Sequence, residues 1–420
     1  MELKPGYKQT EVGVIPEDWD AVELAELKPF VTSGSRGWAP YYSDTGSLFV
    51  RIANLSRASI YLDLDSPQFV RLPVDSSEGT RTQLREHDVL ISITADIGIV
   101  GYVDSSIPSP AYINQHIALI RFGNQRASGK FIGYFLASDK SQRLIRAFAD
   151  TGAKAGMNLL TVKKIHTALP PPSEQSRIGQ ALSNIDSLIC SIEQLIHKKL
   201  QVKQAAMQEL LTGKRRLPGF MGEWEARELG SLGIWRGGMT PSMQNPDYWN
   251  QGDFPWISSG DVKLSRLSDT SQHVTAHAVS SGAAVVIPVK SIVLVTRSGI
   301  LRKHLPVAFL NRPMAINQDI KALIPARDID SCYLLHALTW AGSQILISCM
   351  KTGTTVESIE FSWLKKFTIL IPSHDEQVAI ATALSEMESE LLDLEARKDK
   401  AKMLKQGMMQ QLLTGKIRLT

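Results

Sequence analysis

Three features that often announce a function are missing from this 420-residue chain: metal-ligand spacing, a membrane-length apolar run and a decisive charge excess. The three cysteines, Cys190, Cys332 and Cys349, are scattered and odd in number, which excludes a cysteine metal motif and a disulfide framework and fits a reducing cytoplasm. No 18-residue apolar run occurs, and the most apolar strand-like stretch, Ala283 to Val295, is broken by Pro288 and Lys290. Met1 to Thr10 is polar and charged, so no signal peptide and no membrane association are expected. With a net charge of only +4, nucleic-acid binding cannot be read from the total. No low-complexity segment stands out. What remains is an ordinary globular composition, 43% apolar and 21% charged, long enough for two to four domains.

What the chain does have is a repeat. Glu174-Gln175, Ile178, Ala181, Leu182, Ser183 and Leu210-Leu211-Thr212-Gly213-Lys214 return 202 positions later as Glu376-Gln377, Ile380, Ala383, Leu384, Ser385 and Leu412-Leu413-Thr414-Gly415-Lys416. A loop tolerates changes of length, whereas a helix that holds register does not, so the constant offset points to helices. Ile178, Leu182, Ile185, Ile189, Ile192 and Ile196 step by four and three, the spacing of a coiled-coil seam. The second copy gives Ile380, Leu384, Met387, Leu391 and Leu394, then resumes at Ala401, Leu404, Met408 and Leu412. Ser173 is expected to cap the first helix, while Gly213 and Gly415 mark the stops. Some forty residues make a rod of roughly 60 Å. A narrow apolar stripe on such a rod needs a partner, and the other copy is the expected one, packed antiparallel as a ruler. Basic residues gather toward both ends: Lys198, Lys199, Lys203, Lys214, Arg215 and Arg216 face only Glu209, and seven bases between Ala396 and Leu419 face only Asp399. They could meet phosphates, although a solvated helix face explains any one of them equally well.

The repeat continues more loosely outside the rods. Asp18-Trp19-Asp20 matches Glu223-Trp224-Glu225, and each precedes a Gly/Ser-rich stretch, Thr32 to Gly37 and Gly230 to Pro241. Asn114-Gln115 matches Asn317-Gln318, Thr151-Gly152 matches Thr352-Gly353, and Lys163-Lys164-Ile165 matches Lys365-Lys366-Phe367. Val89–Ile93, Ile117–Arg121, Ile292–Thr296 and Phe367–Ile371 read as strands, and Phe131–Phe148 and Tyr333–Met350 as helices. The chain therefore runs unit, rod, unit, rod, each unit mixed α/β and about 150 residues long.

Glu-Gln followed by an Ile/Ala/Leu-rich rod ending in Leu-Leu-Thr-Gly-Lys, written twice, resembles the DNA-specificity subunit of type I restriction–modification systems. Gly6 to Thr10, Pro16 to Trp19, Thr240-Pro241, Pro246 to Trp249, Phe254 to Ile257 and both Asn-Gln pairs strengthen the resemblance, which covers essentially the whole chain. It implies an α/β (mixed α+β) fold: two pseudo-symmetric target-recognition domains, residues 1–170 and 217–371, joined by two long antiparallel coiled-coil helices at 171–216 and 372–420. It further implies that each domain reads part of a split double-stranded DNA target, with an unspecified spacer set by the helices. Two modification (methyltransferase) subunits carrying S-adenosylmethionine would be partners, joined for restriction by two restriction/translocase subunits using ATP and Mg2+. The chain itself would hold no cofactor, no metal and no catalytic residue.

Two motifs test that last expectation. Asn245-Pro246-Asp247-Tyr248 approximates an amino-methyltransferase loop, but Asp247 stands in the place of a second proline and no glycine-rich cradle for the cofactor accompanies it. Pro246-Asp247 with Asp261-Val262-Lys263 has the shape of a Mg2+ nuclease site, yet the repeat places Asn54 and Ser56 where Asp261 and Lys263 would be needed. A self-sufficient methylase or nuclease, or a coiled-coil adaptor without DNA affinity, are the rival readings. Arginine and lysine are the commonest readers of guanine, and half or more of all DNA contacts go to phosphate. The candidates are Arg36, Arg51, Arg57, Arg81 and Arg85 in the first unit and Lys263, Arg266, Arg297, Arg302 and Lys303 in the second. Asn114-Gln115, Asn317-Gln318, Trp19 and Trp224 recur in both units, so they are expected to build the frame.

Overall fold

The repeated stretches are two uninterrupted helices, Pro172–Leu210 and His374–Leu412, in the computed structural model, which describes every residue except 1–4, 35, 74–76, 124, 149–155 and 352–354. The matching Thr151-Gly152 and Thr352-Gly353 pairs lie outside the described residues. At 39 residues, each helix is roughly 58 Å long. The Pro171 carbonyl accepts the first helical bond from the Gln175 N–H at 3.0 Å, and the Ser373 carbonyl does the same for Gln377 at 2.9 Å. Ser173 thus lies inside the first turn rather than capping it, because Pro172 occupies the first helical position, where a missing N–H does no harm. Both stops use a glycine in the left-handed region, Gly213 at φ 69° and Gly415 at φ 67°. The chain then folds back, with Arg215 N–H bonding the Glu209 carbonyl and Ile417 N–H the Gln411 carbonyl, both at 3.2 Å.

The chain divides into two compact units, residues 1–193 with 396–420 and residues 194–395. Each is a mixed α/β structure holding the start of one long helix and the end of the other. In the first, strands Phe30–Ser33, Ile117–Arg121, Val89–Ser92 and Val100–Tyr102 form one antiparallel sheet in that spatial order. A second sheet pairs Ala111–Ile113 with Ser47–Val50 in parallel and continues through Phe69–Val70 to Tyr42–Ser43. The second unit repeats the plan: Gly233–Gly237, Ile320–Pro325, Ile292–Val295, Val307–Leu310 and Arg266–Leu267 in one sheet, and Gln272–Val274, Phe254–Ile257, Met314–Ile316 and Val286–Ile287 in the other. In each unit a short ladder, Asp20–Glu23 with His166–Leu169 or Glu225–Glu228 with Thr368–Ile371, leads the chain toward its long helix.

Helices pack beside these sheets. Ser331–Cys349 is continuous, capped by the Asp330 carboxylate accepting from Tyr333 N–H at 2.8 Å. Its expected counterpart is divided into Gly129–Ala137 and Asp139–Phe148. Ser138 makes the break: it is extended, its hydroxyl donates back to the Phe135 carbonyl at 2.6 Å, and it also accepts from Ser141 N–H at 3.4 Å. Among the described residues, no helix is long and apolar enough to cross a membrane.

Within each unit the two helical segments run antiparallel. Glu174, Asp186 and Glu193 pair with Arg418, Lys405 and Lys402, and Glu376, Glu388 and Glu390 pair with Arg216, Lys203 and Lys199, so numbers rise on one helix as they fall on the other. Ile178, Leu182, Ile185, Ile189, Ile192, Ile196, Ile380, Leu384, Leu391 and Leu394 are buried along these pairs, and Met387 is half-buried. The spacing misplaces one residue. Leu404 is 55% exposed, and Lys405 is buried in its stead, because the stripe from Ala401 advances by four to reach the Asp186 carboxylate. Leu182, fully buried in the first unit's core, should lose about 2–5 kcal/mol on replacement by alanine. Leu404→Ala should change stability by less than about 0.5 kcal/mol, and urea unfolding of the two variants measures that contrast.

Candidate nucleic-acid interface

The Glu-Gln pairs and the glycine-lysine stops of the repeat meet in a single joint, built once in each unit. In the first unit the buried Glu174 carboxylate accepts from Trp19 Nε1 at 3.1 Å, from Arg418 Nε and Nη2 at 2.8 Å and from Leu419 N–H at 3.2 Å. In the second, Glu376 accepts from Trp224 Nε1 at 3.2 Å and from Arg216 Nε and Nη2 at 2.5 and 2.6 Å. The neighbouring glutamines hold the frame: Gln175 accepts from Ser128 N–H and Gln377 from Asp330 N–H, both at 2.8 Å. Arg216 and Arg418 therefore belong to the scaffold and not to a phosphate-facing rod end. Their partners were legible, since Glu174 and Glu376 recur in the same register.

Opposite requirements shape the other end of the sheets, where loops converge. In the first unit, strands Ser47–Val50 and Ala111–Ile113 run parallel and end together. Asn114 N–H bonds the Val50 carbonyl at 3.1 Å, and Gly34 N–H bonds Ile117 O at 3.2 Å. Ile93 N–H reaches the His116 carbonyl at 2.9 Å, and Met157 N–H reaches Ile93 O at 2.8 Å. The second unit repeats three of these links, with Asn317 N–H on Ile257 O at 3.0 Å, Thr296 N–H on Asp319 O at 2.7 Å and Ile359 N–H on Thr296 O at 2.8 Å, and ties its glycine loop down through Met239 N–H on Ile316 O at 3.0 Å. The buried Asn114 and Asn317 side chains pin the turns by accepting from His116 N–H at 3.1 Å and Asp319 N–H at 3.0 Å. Tryptophans anchor what surrounds them: Trp38 stacks on Phe49 at 5.1 Å, and Trp256 Nε1 donates to Met239 O at 3.2 Å.

The same frame carries different side chains in the two units. In the second unit this loop end presents exposed Arg297, Lys303 and Lys263, and Arg302, which is 71% exposed and paired with Glu357. Exposed Arg236 and the Thr240–Gln318 hydrogen bond (2.5 Å) lie there too; sequence reasoning passed over Arg236, and its place at the end of strand Gly233–Gly237 is the signal that could have found it. In the first unit Arg36 is exposed and Arg51 half-buried. Arg57 is exposed and paired, with Gln142 Oε1 at 2.7 Å, Asp96 at 2.5 Å and the Ile97 carbonyl at 3.0 Å. Arg81 bonds the Thr32 hydroxyl and, at 2.8 Å, the Ser33 carbonyl. Arg85 stands at the far end of strand Val89–Ser92, beside the pocket lined by Val103, Pro108 and Ala111, away from the converging loops. Arg266 also departs from the group: its guanidinium lies 4.9 Å from the Phe309 ring centre and reaches Cys332 Sγ at 3.4 Å and Ser385 Oγ at 3.5 Å.

The two catalytic look-alikes are turns. Asn245 caps Asp247 N–H at 3.1 Å, making Pro246–Tyr248 a single helical turn. Asp261 accepts from the N–H and hydroxyl of Ser258 at 2.9 and 2.6 Å and of Ser271 at 3.0 and 2.7 Å. Burial pushes its pKa up, and those four bonds outweigh it, leaving the carboxyl below the usual range. Asn54 does the matching work in the first unit, accepting from Arg51 N–H at 2.9 Å and donating to Asp63 O at 2.8 Å.

This duplicated frame has a counterpart among known proteins. A family model for the type I restriction modification DNA specificity domain matches residues 16–203 and again 221–403. The chain belongs to that specificity-domain family. It is 33% identical over 232 residues to the EcoR124I/EcoR124II specificity subunit of Escherichia coli, spanning 54% of this chain and only 56% of that relative. At 22% identity it aligns over 431 positions, 98% of this chain and 97% of the other, with a putative MjaX specificity subunit of Methanocaldococcus jannaschii. The fold is similar to the crystal structure of a type I restriction–modification S subunit from M. genitalium, with a TM-score of 0.62 at 12% identity over 98% of each chain. A chain from a structure concerned with complex assembly and conformational transition of the type I system gives 0.53 at 16% identity, over 96% of this chain and 99% of that one. The two matched segments thus share one frame and differ in the side chains at its loops.

Proposed function

We propose that this chain is the sequence-specific DNA-binding subunit of a type I restriction–modification complex and recognises a split target. The recognition segments 1–170 and 217–371 each read one half through their converging loops, and the helical segments 171–216 and 372–420 set the unspecified interval. The observation that carries this reading is the pairing of near-identical hydrogen-bonded frames with dissimilar loop-end residues, Arg36 and Arg51 in one and Arg236, Lys263, Arg297, Arg302 and Lys303 in the other. Methyl transfer, with its S-adenosylmethionine, is assigned to two modification subunits, and ATP- and Mg2+-dependent cleavage to two restriction/translocase subunits. The chain supplies the address and no bond-making group, and works in the cytoplasm.

Mapping methylated adenines in a host that expresses the complex tests the reading: one bipartite motif with a fixed interval is expected. Exchanging region 20–165 for that of another family member should alter one half of the motif alone. Methylation or cutting by the purified chain without partners would favour an enzyme instead. Failure to bind DNA at any salt concentration would favour an adaptor. Arg297→Ala with Lys303→Ala should lower DNA affinity and shrink the slope of log affinity against log salt by about one for each phosphate left unneutralised. A titration from low to moderate salt reads both quantities.

A further inference from the structure

A polar cluster sits inside each unit where its two helical segments and a reading segment meet. In the first unit, Lys405, whose side chain is only 11% exposed, crosses the helix seam to Asp186 at 2.6 Å and donates to the Ala58 carbonyl at 2.8 Å. The fully buried Tyr134 donates its hydroxyl to the same carboxylate at 2.7 Å, and Tyr61 hydrogen-bonds Ser183 Oγ at 2.6 Å. The second unit repeats the lysine, the acid and the serine at the equivalent helix positions and surrounds them with different residues. Lys203 faces Glu388 at 3.6 Å, Glu388 accepts from Ser265 Oγ at 2.7 Å, and Ser385, the repeat partner of Ser183, meets both Arg266 at 3.5 Å and the buried His336 at 3.1 Å. The backbone confirms the equivalence. Ile60 O accepts from Tyr102 N–H at 2.6 Å as Ser265 O does from Phe309 N–H at 2.8 Å, so Tyr61 and Arg266 occupy one position.

Stability does not require such a cluster. A buried ion pair rarely outperforms apolar residues of the same volume, but it penalises every register in which a charge is left alone, as a single polar seam residue does in coiled coils. Each cluster also touches the reading segment. Arg57, next to Ala58, ties that segment to the Asp96–Ile97 loop at the reading end. We infer that Lys405 and Lys203 are positioning residues that lock the register of the helix pair against the reading segments, and so restrict the complex to one interval between its half-targets. The inference rests on the proposed split-target function. A slip of one helical turn, about 5.4 Å, corresponds to one or two base pairs at about 3.4 Å each.

The decisive variant replaces the pair without leaving a stranded charge: Lys405→Met with Asp186→Leu, in the full chain co-expressed with its modification subunits. Genome-wide methylation mapping is expected to return both half-motifs unchanged, now with intervals one or two base pairs longer or shorter beside the original. Lys405→Arg, which keeps charge and reach, should retain the single interval. A folded double variant that methylates only at the original interval overturns the inference, and so does a double variant that fails to assemble, since the pair would then serve folding alone. Absence of any bipartite motif from the unaltered complex would instead remove the proposed function itself, a separate outcome.

Discussion

Arg418→Ala is expected to destabilise the first unit by about 3–5 kcal/mol, the usual effect of stranding a buried charge. Glu174 is 1% exposed, and Arg418 supplies two of its four hydrogen bonds while also gripping the more exposed Asp18 at 2.9 and 2.7 Å. The loss would extend to packing, because the guanidinium lies 5.6 Å from the Trp19 ring centre. Acid titration separates the electrostatic part. Burial favours the neutral form of Glu174, but the bonds from Arg418 and Trp19 outweigh it and hold the carboxyl below its ordinary value, and Asp18 is lowered by the Arg418 hydrogen bond. A carboxyl with a depressed folded pKa stabilises above its unfolded value, near 4.5 for Glu174, and that contribution disappears as pH falls through the folded value. Unaltered protein should therefore weaken as pH drops below about 4.5. In the alanine variant only the Trp19 and Leu419 bonds still oppose burial, Glu174 takes up its proton more readily, and the deficit should narrow on acidification. Urea unfolding of both proteins across pH 3 to 7 measures this, and a deficit independent of pH would assign the whole effect to lost packing.

That joint also shows what a lone sequence discloses. The long helices were legible because coiled-coil spacing and a constant offset constrain every residue in them. Trp19, Glu174, Gln175 and Gly213 were legible as framework for the same reason, each having a partner in the second copy. Interactions of residues that differ between copies were not. Nothing in the spacing marks Arg266 as the counterpart of Tyr61, since the segments around them share no motif, and so its packing on Phe309 leaves no sign in the sequence. The contacts of Arg57 are equally hidden: its partners Asp96 and Gln142 are 39 and 85 residues away. Lys405 does have a counterpart, Lys203, as Asp186 has in Glu388, but the local spacing offers Leu404 as the more natural seam residue, and only the carboxylate on the other helix decides between them. Long-range charge pairing leaves no local trace.

Gly238 and Gly34 should prove the most sensitive positions at the reading ends, with effects confined to one half of the target. A Cβ on Gly238 would lie 2.0 Å from the Ile316 carbonyl oxygen and 2.5 Å from that of Asn317; on Gly34 it would lie 2.1 and 2.2 Å from the carbonyl oxygens of Ile113 and Asn114. The obstacles are backbone atoms at the asparagine turn, so no side chain can swing away, and the glycine loop must lift off the sheet. In the second unit that lift would carry Met239 and Thr240 away from Ile316 and Gln318, dismantling the presented surface while leaving the helix pair and its seam intact. A bidentate hydrogen-bonded reading of one base is worth about 1–3 kcal/mol, so Gly238→Ala should cost the second half-target about five- to 150-fold in discrimination for each base no longer read. Competition binding with duplexes altered in one half at a time provides the readout. Changes in the second half should cease to matter for Gly238→Ala while changes in the first still weaken binding, and Gly34→Ala should give the mirror image. Equal loss at both halves would mean that the two reading ends do not act separately, because a lift confined to one loop leaves the hydrogen-bonded frame of the other unit untouched.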